Sequence, residues 1–271
     1  MKAIGFNLCQ RGDIILNTVA ARAFKQQYPE YHLTLGVGPQ YSDMEMLFVH
    51  HEFIDAFHTY SSFEGWPDAR DCKYLIDNNF DIVYNGFPRH GRDDWWRYVS
   101  QEEEVCIMNG LPLPDNLQCN LTRWFDVPDN KKYIALAPIG GWQDYPNKKS
   151  FSVARANELI VAIKSLGYGV IQLGGPDEPR LEGAEKSTGS YFEQTKEMLG
   201  CKALVSVDTG RAWLAAAYSF PTLGCYSNEY YGKENIIAIQ PTNPNAKYLD
   251  DVLVNDLPID QIIAALKEIT S

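Results

Sequence analysis

What most limits the fold of this chain is a rhythm that runs through it twice. Short apolar runs alternate with stretches of helical periodicity, and a polar, turn-forming segment separates the two passes. In the first pass, residues 3–8, 32–37, 53–57 and 81–84 predict strands. Residues 14–28 predict a helix with Ile14, Ile15, Thr18, Val19, Ala21, Ala23 and Phe24 on one face, ended by Pro29. Further helices are expected at 43–49, 68–78 and 93–109. The run Asp126-Val127-Pro128-Asp129-Asn130, inside a break spanning 120–132, predicts a linker. The second pass places strands at 133–138, 169–173, 203–207, 222–226 and 236–239. Its helices fall at 152–166, 191–199, 211–219 and 259–269. Strands alternating with helices imply an α/β class with mainly parallel sheets. The expected layout is two Rossmann-like domains, 1–125 and 131–258, facing across a cleft, and a closing helix at 259–271.

Composition removes several classes of function. Formal charge is −11, from 24 Lys+Arg against 35 Asp+Glu. The densest basic pairs are Lys131-Lys132 and Lys148-Lys149, so broad nucleic-acid binding is not expected, while one basic pocket for a diphosphate is compatible. No run approaches the ~18 apolar residues of a membrane span. The start of the chain lacks the basic and apolar regions of a signal peptide. The six cysteines are scattered with no C-x-x-C, which predicts reduced thiols, a cytoplasmic setting and no zinc site. His50, His51 and His58 lack metal-ligand spacing and are expected at the surface. There is no G-x-G-x-x-G after the first strand of either half, no P-loop and no G-x-S-x-G elbow.

In doubly wound sheets, ligands bind beyond the carboxyl ends of the strands, so the loops after strands are where chemistry is sought. The first holds Gly12 and Asp13 at the mouth of a helix. Asp13 suits either an N-terminal cap or a base for an attacking hydroxyl. The second is residues 139–151, with Gly140 and Gly141 for close backbone approach and Lys148 and Lys149 as point charges; Ser150 or Ser152 would cap the helix that follows. The third, Gly174-Gly175-Pro176-Asp177-Glu178, offers carboxylates that suit either a tight turn or a ribose hydroxyl. The fourth carries Arg89, His90 and Arg92, either solvated or gripping an acceptor, with Trp95 and Trp96 just beyond. Finally, V-S-V-D-T-G at 205–210 leads into a small-residue helix. Asp208 and Thr209 are its cap, Gly210 admits another backbone, and the free N–H groups suit a phosphate. Together these turns suggest a nucleotide-sugar site.

Four segments carry a resemblance to a known family. G-D-I-I-L-N-T at 12–18 leads to a helix ending in Tyr28-Pro29. The loop 138–151 is similar to P-G-x-x-x-x-x-K-x-W, with Lys149 at the lysine and Phe151 at the tryptophan. Residues 173–178 match L-G-G-P-x-E. Residues 205–222 are similar to V-x-x-D-[ST]-G-x-x-H-L-A-A-A-x-x-x-P-[TV], with Trp213 at the histidine. The chain resembles glycosyltransferase family 9, the ADP-heptose:lipopolysaccharide heptosyltransferases of GT-B fold. The resemblance implies an inverting, metal-independent transfer of heptose or another sugar from a nucleotide-diphosphate donor, the co-substrate, to a saccharide or glycolipid acceptor of a bacterial-type surface glycan, with no cofactor. It makes Asp13 the base. It implies that Lys149 contacts the diphosphate, that Asp177 or Glu178 approaches the nucleoside, and that Asp208, Thr209 and Gly210 bind phosphate; from the loops themselves, Gly12 and Gly140 are expected as further donor contacts and Arg89, His90 and Arg92 as acceptor contacts. Alternatives on the same fold are a nucleotide-sugar epimerase or hydrolase and a non-catalytic nucleotide-sugar-binding protein; a glycosyltransferase acting on DNA is disfavoured by charge.

Overall fold

A computed structural model describes residues 1–7, 10–60, 77–85, 99–140 and 148–271. The chain divides into two compact units, Met1–Trp124 and Phe125–Ser271. No helix among the described residues is long and apolar enough to cross a membrane.

Among the described residues, the first unit carries four parallel strands: β1 (Lys2–Asn7), β2 (His32–Val37), β3 (Ala56–Thr59) and β4 (Ile82–Asn85), ordered β3-β2-β1-β4. Helix α1 (Arg11–Gln27) follows β1. It is buried over far more than one face, since Leu16, Asn17, Ala20 and Arg22 are covered along with the expected apolar positions. The irregular chain near residue 120 accounts for part of this cover. Arg22 donates from Nη2 to Asn120 Oδ1 at 2.8 Å and from Nη1 to the Asn116 carbonyl, and Asn120 N–H donates to Thr18 Oγ1 at 3.1 Å.

Several expectations for this half need correction. The strand expected at 53–57 forms at Ala56–Thr59. The helix expected at 43–49 is a 3-10 turn, Pro39–Met44, running into the short α2 (Glu45–Phe48). Of the helix expected at 93–109, residues 93–98 lie outside the described residues; the described part forms α3 (Gln101–Met108). Ser100 sets that start: its Oγ accepts the Glu103 N–H at 3.2 Å, and Glu103 Oε2 accepts the Ser100 N–H at 2.7 Å. The expected helix at 68–78 lies almost wholly outside the described residues.

Among the described residues, the second unit carries six strands, all paired in parallel: β5 (Asn130–Ala137), β6 (Gly169–Gln172), β7 (Glu185–Lys186), β8 (Cys201–Val207), β9 (Thr222–Ser227) and β10 (Ala246–Asp251). The sheet order is β10-β9-β8-β5-β6-β7. Counted from the first strand of the unit, this is the doubly wound order 3-2-1-4-5-6, and it reverses between β5 and β8. Helices α4 (Val153–Ser165), α5 (Tyr191–Gly200), α6 (Gly210–Ala217) and α9 (Ile259–Thr270) cover the sheet. β8 and β9 are buried almost throughout, as strands covered on both faces must be. The core joins Ile134, Leu136, Leu159, Ile163, Val205, Leu223 and Leu266. α9 packs on α4 and on β8, β9 and β10.

The strand expected at 236–239 is instead a helical turn. α7 (Asn228–Tyr231) and a 3-10 turn precede α8 (Ile236–Ile239). Ile236 and Ile239 are buried while Ile237 is 79% exposed, a three-residue spacing that belongs to a helix and not to a strand. The sixth strand forms later, at Ala246–Asp251, from a polar run with little apolar signal.

Candidate functional site

The site is built where the second sheet reverses order. Phe151 N–H donates to the Pro138 carbonyl at 2.9 Å, so the loop after β5 leaves and returns at one place. Phe151 is buried in the core. Ser150 Oγ accepts the Gly140 N–H at 2.9 Å and lies 3.2 Å from the Gly140 carbonyl, which fixes the start of the loop. Ser152, not Ser150, caps α4, accepting the Arg155 N–H at 3.2 Å.

Gly140 and Asp208 belong to the loops that follow β5 and β8, the strands flanking the reversal. A Cβ on Gly140 would stand 2.5 Å from the Asp208 carbonyl oxygen. At Gly140, one of the glycines read as admitting a close approach, the backbone passes directly against the turn after β8. Lys149 Nζ lies 3.4 Å from Asp208 Oδ2, with both side chains mostly covered, and 5.1 Å from the Tyr230 ring centroid. Lys148 is different: it is exposed and pairs with Glu229 on α7. Thr209 is the N-cap of α6. Its Oγ1 accepts the Arg211 N–H at 3.1 Å and lies 3.1 Å from Ser206 Oγ. A cation and the first turn of a helix thus meet at the switch point, an arrangement suited to an anion.

Beside it, the loop after β6 is a closed turn. Glu178 Oε1 accepts the Gly175 N–H at 2.8 Å, and its Oε2 would lie 2.1 Å from a Cβ on Gly174. Oε2 is buried and has no hydrogen-bond partner among the described residues. Burial raises the pKa of Glu178, opposed by the Gly175 N–H, Lys186 and Arg211. Asp177 is exposed. Sequence reasoning missed Gln194, whose carboxamide holds Gly174 through its N–H (3.1 Å) and its carbonyl (3.0 Å), and Arg211, which donates to Gln194 Oε1 at 2.7 Å. The one signal for Arg211 was a lone charge in the small-residue run G-R-A-W-L-A-A-A. Trp213 is buried, 5% exposed.

In the first unit, Gly12 and Asp13 occupy the first turn of α1, after the strand where that sheet reverses order. Asp13 Oδ2 accepts the Gln10 N–H at 3.1 Å, a helix-start contact, and Arg11 pairs with Asp43 at 2.9 Å. Arg89, His90 and Arg92 lie outside the described residues, as do 141–147.

The histidines need one correction. His51 is buried, 7% exposed. Phe53 N–H donates to its Nδ1 at 3.1 Å, so the proton sits on Nε2, which donates to the Asn120 carbonyl at 3.0 Å. Burial, aided by the charge of Arg22, lowers its pKa to about 4. The described cysteines Cys106, Cys119, Cys201 and Cys225 are free and buried. No cluster of potential metal ligands occurs among the described residues.

No protein-family model and no curated protein sequence matches the chain. Solved structures do. A glycosyl transferase family 9 protein from Veillonella parvula matches with a TM-score of 0.77 at 15% identity, covering 99% of this chain and 97% of that one. The E. coli ADP-heptose lipopolysaccharide heptosyltransferase II matches with a TM-score of 0.76 at 14% identity, covering 100% and 98%. E. coli heptosyltransferase WaaC with ADP matches with a TM-score of 0.69 at 15% identity, covering 99% and 100%. At such identities the likeness establishes a shared fold.

Proposed function

We propose that the chain is a GT-B glycosyltransferase that moves heptose or another sugar from a nucleotide-diphosphate donor to a hydroxyl acceptor, with inversion and without a metal. The observation that carries this reading is the meeting of Gly140, Lys149 and Asp208 at the switch point of the second sheet. A fold shared with structures that include one solved with ADP and one with ADP-2-deoxy-2-fluoro heptose supports it.

In this reading the second unit holds the donor. Lys149 and the N-terminal end of α6, where Asp208 and the cap Thr209 lead into Gly210, meet the diphosphate; Gly140 gives it room. Glu178, whose buried Oε2 lacks a hydrogen-bond partner among the described residues, accepts a hydrogen bond from a nucleoside hydroxyl, a role for which exposed Asp177 is less suited. The acceptor oxygen attacks the anomeric carbon as the bond to the β-phosphate oxygen breaks. Asp13 takes the proton, and Lys149 and the helix terminus stabilise the departing charge. Gly12 is a further donor contact, and Arg89, His90 and Arg92 meet a saccharide or glycolipid acceptor of a surface glycan. The setting is cytoplasmic.

Thermal-shift titration against ADP-, GDP-, UDP- and dTDP-sugars tests donor binding. A ligand at about 100 times its Kd adds about 2.7 kcal/mol. No shift with any donor removes the reading. Transfer that persists in EDTA supports metal independence. One observation favours a second reading, a non-catalytic nucleotide-sugar binder: Asp13 already has a structural task at the Gln10 N–H. Saturable donor binding without transfer to any acceptor would select it, while epimer or free sugar formed from donor alone would select an epimerase or hydrolase.

A further inference from the structure

The proposed donor site leaves one buried cation without a role. Arg211, one residue beyond Gly210, is 7% exposed. Its guanidinium carbon lies 3.8 Å from the Tyr191 ring centroid, Nη1 donates to the Tyr191 carbonyl at 3.3 Å, and Nη2 donates to Gln194 Oε1 at 2.7 Å. Gln194 turns that anchor toward the neighbouring loop. Its Nε2 donates to the carbonyls of Gly174 and Gly189, each at 3.0 Å, and its Oε1 accepts the Gly174 N–H at 3.1 Å. Both backbone polar groups of Gly174 are therefore held by one carboxamide, which the guanidinium braces from behind. The next N–H, that of Gly175, holds Glu178 Oε1 and leaves Oε2 as an unfilled acceptor. Burying a guanidinium is costly, and its planar fork explains its use where direction matters more than charge.

We infer that Arg211 is a positioning residue for the nucleoside half of the donor: through Gln194 it fixes the Gly174-Gly175 turn and so aims Glu178 at a nucleoside hydroxyl. The inference rests on the donor-binding reading above. It couples the two ends of that site, because the residue following the phosphate-side Gly210 sets the geometry of the nucleoside side.

Calorimetric titration of the full chain with ADP, GDP and UDP, and separately with inorganic pyrophosphate, tests it. Arg211→Met should weaken the tightest nucleotide about tenfold, the loss of about one good polar contact, and leave pyrophosphate within about twofold. Arg211→Lys, which keeps the charge and loses the fork, should fall between. Because the effect passes through Gln194, Arg211→Met combined with Gln194→Met should be no weaker than the weaker single variant. Should Arg211→Met not fold, Arg211→Lys carries the same comparison. Equal losses for nucleotide and pyrophosphate, or no loss for the nucleotide, overturn the inference and leave the donor reading standing. Failure of the unmodified chain to bind any of the nucleotides overturns both.

Discussion

Gly140 passes so close to Asp208 that a Cβ would stand 2.5 Å from the Asp208 carbonyl oxygen. The obstacle is main chain on both sides, so no side chain can swing away to relieve it. Gly140→Ala should therefore destabilise the second unit by about 1–3 kcal/mol and displace the loop bearing Lys149. Gly175→Ala is the control, since its nearest neighbour is the end of Glu178 at 3.6 Å. Equal urea midpoints for the two variants would contradict the close approach.

Adjacent lysines should behave unequally. Lys149 is mostly covered between Asp208 and the Tyr230 ring, whereas Lys148 is exposed beside Glu229. Lys149→Ala should cost diphosphate binding roughly 1.5–3 kcal/mol, the range for a charge-assisted contact. Lys148→Ala should cost less than about 1 kcal/mol. Pyrophosphate titration of both variants decides, and similar losses would move the anion site elsewhere.

Asp13→Asn separates the cap from the base. The amide oxygen still accepts the Gln10 N–H, so the melting temperature should barely move. If Asp13 takes the acceptor proton, turnover should fall ~10²–10⁴-fold with donor affinity intact. Turnover within a few-fold of the parent chain would leave Asp13 as a cap alone.

His51 should make the first unit acid-sensitive. Its folded pKa of about 4 lies below the ordinary 6.5, so the folded state holds it neutral. The stability it contributes is complete above pH 6.5 and is lost as pH falls toward 4, by roughly 3 kcal/mol over the interval. His51→Gln has an amide that donates to Asn120 and accepts from Phe53 without titrating. Its urea midpoint should change less between pH 7 and pH 5 than that of the parent chain; an unchanged slope would rule His51 out.

Helices and strands with strong local signals were legible, and the reason is short range. Ser152 and Thr209 cap the helices they precede because a hydroxyl needs only the N–H two or three residues on. The pattern at 203–207 needs no partner to read as a buried strand, and the strand forms at Cys201–Val207. By contrast, Ile236–Ile239 is apolar and β-branched, and four residues do not separate a strand from a helical turn; what decides is which of them the fold covers. β10 was illegible for the opposite reason: A-K-Y-L-D-D is an edge strand held by pairing with β9, and its sequence carries little of that pairing.

The sequence alone determined the α/β class, the polar break between the two passes, and which loops could hold chemistry, because periodicity, caps and turn residues are properties of neighbours along the chain. Only the tertiary structure decided which residues of those loops meet. Gly140 runs against the Asp208 carbonyl, Lys149 rather than Lys148 reaches Asp208, and Gln194 and Arg211, 17 residues apart, clamp Gly174. The physical reason is strand order: once β5 pairs beside β8, segments about 60 residues apart come within contact distance, and nothing local to either segment encodes that.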